Sequence, residues 1–128
     1  MTLVAAFRDQ EGGILLCADR EENDGYAKRD VDKIYEISLP SVQVLLAGAG
    51  PSAAIARANT DIHSALMGTA FADKIEAFTV NALQQCQNII ESALRSVHKQ
   101  FEDTLPNWPM NLLIVIRPKI TNTVPILY

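Results

Sequence analysis

The first half of the chain sets short apolar runs against polar, glycine-bearing breaks. Residues 3–7 are apolar, Gln10-Glu11-Gly12-Gly13 interrupts them, and residues 14–18 are apolar again. Two such runs joined by a few residues containing glycine predict a β-hairpin. Residues 20–30 are dense in charge and contain Gly25, which predicts an exposed loop. Lys33-Ile34-Tyr35-Glu36-Ile37-Ser38 then alternates polar and apolar, the period of a half-buried strand. Leu39-Pro40-Ser41 turns the chain into another apolar run at residues 42–46, so a second hairpin is expected.

Gly48-Ala49-Gly50-Pro51 changes the period. Proline suits a first helical turn, because its missing N–H has no partner to lose there. Ile55, Ile62 and Leu66, with alanines between them, form a stripe at helical spacing that Gly68 ends. Asp73 is placed to cap a second helix, whose stripe runs through Ile75, Phe78, Leu83, Cys86, Ile90, Leu94, Val97 and Phe101. Pro106 and Pro109, flanking Asn107 and Trp108, stop it, since neither fits a helix interior. Residues 112–116 and 124–128 predict two more strands, linked by a turn over residues 119–122. Four strands, two helices and two strands in blocks describe an α+β layered fold with mostly antiparallel sheets. No internal repeat, low-complexity tract or linker divides residues 1–128, so one domain is expected. Tyr128 falls inside an expected strand with no polar tail, and the expectation is that the fold continues past it.

Composition narrows the classes of function. The 128 residues carry a net charge of −4, without the concentrated basic patch that a phosphate backbone demands, so nucleic acid is not an expected partner. Charge at Arg8, Asp9 and Glu11 breaks the first apolar run too early for a signal peptide. No run approaches the length of a membrane span. Cys17 and Cys86 are too few for a disulfide framework, and the simplest reading is two buried thiols in a reducing cytoplasm. His63 and His98 sit in different helical stretches with no cysteine or carboxylate pattern beside them, so neither a metal nor another cofactor is expected.

One ordered set of short motifs carries chemistry. Met1-Thr2-Leu3-Val4 opens the chain, Gly13-Ile14-Leu15-Leu16-Cys17-Ala18-Asp19 forms the second strand, Asp32-Lys33-Ile34 opens the third, and Ala47-Gly48-Ala49-Gly50 precedes the first helix. With Pro125-Ile126-Leu127-Tyr128 near the end, this series resembles the proteasome β-subunit family of N-terminal nucleophile hydrolases, over nearly the whole chain. The resemblance implies an αββα layered sandwich, incomplete at its C-terminal side. It also implies a threonine-type peptidase or amidohydrolase, self-association into a ring or smaller oligomer, and a peptide or amide substrate.

In that scheme Thr2, exposed by removal of Met1, supplies both nucleophile and base. A threonine hydroxyl needs a base close by, and an α-amine, with a pKa of about 7.7–8.0, accepts a proton at neutral pH where an ordinary lysine does not. Lys33 takes the role of a fixed cation that favours the alkoxide, Asp19 holds Lys33, and Gly48 offers its backbone N–H to the oxyanion. Matching Leu3-Val4 to the family's hydrophobic pair, however, puts Met1 at the nucleophile position. Matching Thr2 there shifts the first strand by one residue, unless a bulge near residues 10–13 absorbs it. The assisting serine and aspartate of the family fall beyond Tyr128. Plainer readings stand beside each role. Asp19 is also an ordinary partner for Arg20 or Lys33, Lys33 a solvated strand residue, and Gly48 a turn glycine. Two further alternatives are a non-catalytic, proteasome-like structural subunit and a small-molecule amidohydrolase of the same fold.

Overall fold

The computed structural model describes residues 3–23, 25–69, 72, 80–102, 110–119 and 126–127. Its centre is β6 (Val42–Ala49), flanked by β5 (Ile34–Ser38) and β7 (Asn111–Pro118), with β8 (Ile126–Leu127) beyond β7. Every neighbouring pair in this sheet is antiparallel. β6 is apolar on both faces because both are covered. Val42, Val44 and Leu46 turn to one side with Ile37, Ile114 and Ile116, while Leu45 and Ala47 turn to the other with Leu113 and Val115.

Helices α1 (Ser52–Met67) and α2 (Val80–Glu102) cover the first face. Ile55, Ile62 and Leu66 of α1 meet Ala82, Cys86, Ile90 and Ala93 of α2 over the sheet. The helical stripe therefore reads as the sequence predicts from Leu83 onward. Asp73, Ile75 and Phe78 lie outside the described residues, as do Trp108 and its flanking prolines. Gly68 occupies the C-cap of α1, and its N–H donates to the Leu66 carbonyl.

The second face is covered by the hairpin of β1 (Val4–Arg8) and β2 (Ile14–Ala18). Val4, Ala6, Ile14, Leu16 and Ala18 point to the sheet, and Phe7, Leu15 and Cys17 point outward. Cys17 is thus exposed rather than buried, because an unbroken apolar run does not reveal which of its faces is inside. Cys86 is buried, which pushes its thiol up to about 11 and leaves it inert at neutral pH.

The charged segment after β2 corrects the loop expectation. It forms a second small hairpin, β3 (Glu21–Asn23) with β4 (Lys28–Asp30). Cross-strand ion pairs hold it, Lys28 with Glu21 at 3.3 Å and Arg29 with Glu22 at 2.9 Å. Charge complementarity replaces hydrophobic alternation here, so no apolar period marks the strands. The described residues give a mixed α/β fold of three small sheets and two helices. One helical layer, a sheet and a hairpin layer are stacked. The second helical layer of an αββα sandwich is not among the described residues.

Candidate functional site

The first hairpin brings Leu3 to Asp19. Its register runs without a bulge from Val4 opposite Ala18 to Arg8 opposite Ile14. The extra residues sit in the turn instead, where the Asp9 carboxylate accepts the N–H groups of Glu11 (2.9 Å) and Gly13 (2.7 Å). Past the hairpin the Asp19 N–H donates to the Leu3 carbonyl at 3.0 Å, and the Leu3 N–H donates to Asp19 Oδ2, also at 3.0 Å. Thr2 and Met1 lie outside the described residues. The amide joining Thr2 to Leu3 nevertheless ends on the Asp19 carboxylate.

That carboxylate also faces Lys33. The ammonium stands 3.7 Å from Asp19 Oδ1, and its side chain is 1% exposed against 33% for Asp19. It donates to the Glu21 carbonyl at 2.8 Å. A solvated strand lysine is excluded by this burial. The alternation of β5 simply extends backwards, with Lys33, Tyr35 and Ile37 inward while Ile34 is exposed. A lysine in an inward phase is tolerable only where acceptors meet its charge.

Hydrogen bonding sets the charge state of Asp19. The Leu3 N–H acts most strongly, opposed by burial and then helped by the Lys33 ammonium and the Glu21 N–H. Together they hold the carboxyl below its usual range. A depressed folded pKa gives stability that is present above the unfolded value, about 3.9, and lost as pH falls through the folded value. Asp19 should therefore stabilise the fold at neutral pH and lose that contribution only in acid. Asp19→Asn should lower the neutral-pH midpoint and flatten the acid limb, as scanned by circular dichroism from pH 7 to 3. An acid limb unchanged by Asp19→Asn would refute the assignment.

Gly48 stands beside the backbone of Lys33. It lies inside β6, opposite Leu112, and its N–H donates to the Lys33 carbonyl at 2.9 Å. A Cβ at this position would stand 2.7–2.9 Å from three side-chain atoms of Ile55, which is fully buried. The glycine therefore permits close approach of α1 to the sheet, and its N–H is engaged with the backbone that carries Lys33. Gly50, at φ 129°, makes the left-handed step from strand to helix that a side chain would strain.

Sequence reading missed Glu22. Its side chain, 12% exposed, accepts the Ser52 N–H and the Ser52 hydroxyl, each at 2.9 Å, while pairing with Arg29. Burial opposes its charge, but Ser52 and Arg29 outweigh burial and keep its carboxyl below the usual range. It supplies the anion that the first turn of α1 lacks. No local capping signal points to it, because it lies thirty residues upstream of the helix it caps.

The remaining candidates stay apart. His63 and His98 are exposed, and no group of three or more histidine, cysteine or acidic side chains able to hold a metal occurs among the described residues. No helix among them is long and apolar enough to cross a membrane.

No family model matches the chain, and no curated protein matches it. Solved structures do. An Anbu mutant from Hyphomicrobium sp. strain MC1 is similar with a TM-score of 0.65 at 21% identity, over 99% of this chain and 50% of that one. The helical assembly of the Anbu complex from Pseudomonas aeruginosa follows at 0.63 and 14%, over 99% and 52%. A second Hyphomicrobium Anbu structure gives 0.60 and 20%, over 99% and 51%. This chain thus spans about half the length of the chains it matches. These findings correct the resemblance to proteasome β subunits: the neighbours are Anbu proteins, a family of N-terminal nucleophile hydrolases. At such identities the likeness establishes the fold alone, a proteasome-like fold shared with Anbu.

Proposed function

We propose that this chain is an N-terminal nucleophile hydrolase that cleaves peptide or amide bonds, with Thr2 as nucleophile after loss of Met1. The observation that carries this reading is the pairing at Asp19. One carboxylate accepts the amide next to Thr2 and faces a buried ammonium. The Lys33 ammonium is 1% exposed and 3.7 Å from the carboxylate that accepts the Leu3 N–H, in a space that an apolar side chain would fill at less cost.

The chemistry follows from these groups. The Thr2 amine takes the hydroxyl proton as Oγ attacks the carbonyl carbon. The Lys33 charge favours the oxygen's developing negative charge, and Asp19 orients Lys33. Collapse of the tetrahedral intermediate breaks the C–N bond, and the departing nitrogen takes the proton from the amine. Water then attacks the Thr2 ester, releasing the acid and restoring the hydroxyl. The αββα sandwich and self-association belong to the same proposal, the latter supported by the helical assembly described for one Anbu neighbour.

Intact-mass measurement should show a chain beginning at Thr2, and an electrophilic probe for N-terminal threonine should add one equivalent to it. Retention of Met1 in protein that turns over an amide substrate would defeat the mechanism.

A second reading, a non-catalytic subunit of such an assembly, is favoured by the unbroken hairpin register and the engaged Gly48 N–H. It predicts an assembled protein that the probe leaves unlabelled.

A further inference from the structure

The short strand β3 touches two things at once. The carbonyl of Glu21 accepts the Lys33 ammonium at 2.8 Å. The next side chain, Glu22, accepts the N–H and hydroxyl of Ser52 at the start of α1. Arg29 of β4 closes on the same carboxylate, with its Nε 2.9 Å away. The two strands contribute little hydrophobic burial of their own, since Lys28, Arg29 and Asp30 are all exposed. Two contacts therefore fix β3 against the body of the protein: the Glu21 N–H, which donates to Asp19 Oδ1 at 3.1 Å, and the anchored Glu22 carboxylate, adjacent in sequence to the carbonyl on which Lys33 rests.

We infer that Glu22 is a positioning residue for the Lys33 ammonium: by fastening β3 to the first turn of α1, it keeps the Glu21 carbonyl in place as the acceptor of that cation. The inference rests on the proposed hydrolase reading for its functional meaning, because Lys33 is the cation of that site. Its geometry is independent of whether turnover occurs. A side chain that merely capped α1 would affect the helix and leave the ammonium alone. One that positions Lys33 must affect both.

The test is proton exchange at the Lys33 ammonium, read by nitrogen-15 NMR of lysine-labelled full-length protein. Glu22→Ala should speed this exchange about tenfold, as expected when an anchored acceptor is freed to open locally. Glu22→Gln keeps the volume but loses the charge, and should give an intermediate increase. It carries the same readout should Glu22→Ala fail to fold. Glu22→Asp, which keeps the charge on a shorter arm, should restore part of the protection. If the variants lose thermal stability while Lys33 exchange stays at the parental rate, Glu22 only caps the helix and the inference is overturned. Absence of amide turnover in the parent protein would count against the hydrolase reading alone, because the exchange measurement does not depend on it.

Discussion

Thr2→Ala is expected to lower kcat for amide hydrolysis by at least about 10³-fold while leaving thermal unfolding unchanged. Alanine keeps the α-amine and the peptide link to Leu3, so the Leu3 N–H remains available to Asp19. Only the oxygen that would attack is removed. Thr2→Ser restores a hydroxyl and should recover most of the loss. A single-turnover assay on both variants, beside a thermal scan, makes the comparison. Undiminished turnover in Thr2→Ala would remove the threonine from the mechanism, whatever the role of Lys33.

The largest effect on stability is expected at the centre of the sheet. Leu46→Ala should cost about 3–5 kcal/mol, the range for a large side chain deleted where its surroundings cannot collapse. Leu46 is fully buried, with Tyr35 on one neighbouring strand, Ile114 on the other, and the helices above. Against a typical total of about 5–15 kcal/mol, this removes from about a fifth to all of the stability. Leu15→Ala provides the contrast, because that leucine is 62% exposed on the outer face of the first hairpin. It should change stability by less than about 1 kcal/mol. Urea unfolding of the three proteins, read from the midpoint at constant slope, separates these outcomes. Equal losses at both positions would contradict the layer assignment.

Leu15 and Leu46 also show how far the sequence could be read. Both stand in short apolar strand runs, and the pattern that identified the strands could not rank them. The hairpin at β1–β2, the β5–β6 pair, the α1 stripe and the C-terminal half of the α2 stripe were all legible, because local turn chemistry and period fix them. The β3–β4 hairpin was not, since its stabilising pairs are charges that read locally as a solvated loop. Lys33 was picked out through resemblance, but its burial was not visible from its neighbours. Alternation alone would have accepted a surface lysine beside a buried Ile34, and the structure has the reverse.

The sequence by itself determined the kind and order of the elements outside residues 20–30, and resemblance added the candidate set Thr2, Asp19, Lys33 and Gly48. Tertiary structure alone decided which faces those elements bury, that Asp19 and Lys33 meet, that the Gly48 N–H is taken by the Lys33 carbonyl, and that Glu22 caps a helix thirty residues away. The physical reason is range. Period and turn preference act between residues a few positions apart, whereas a buried charge is settled by whichever acceptors the folded chain brings to it from elsewhere.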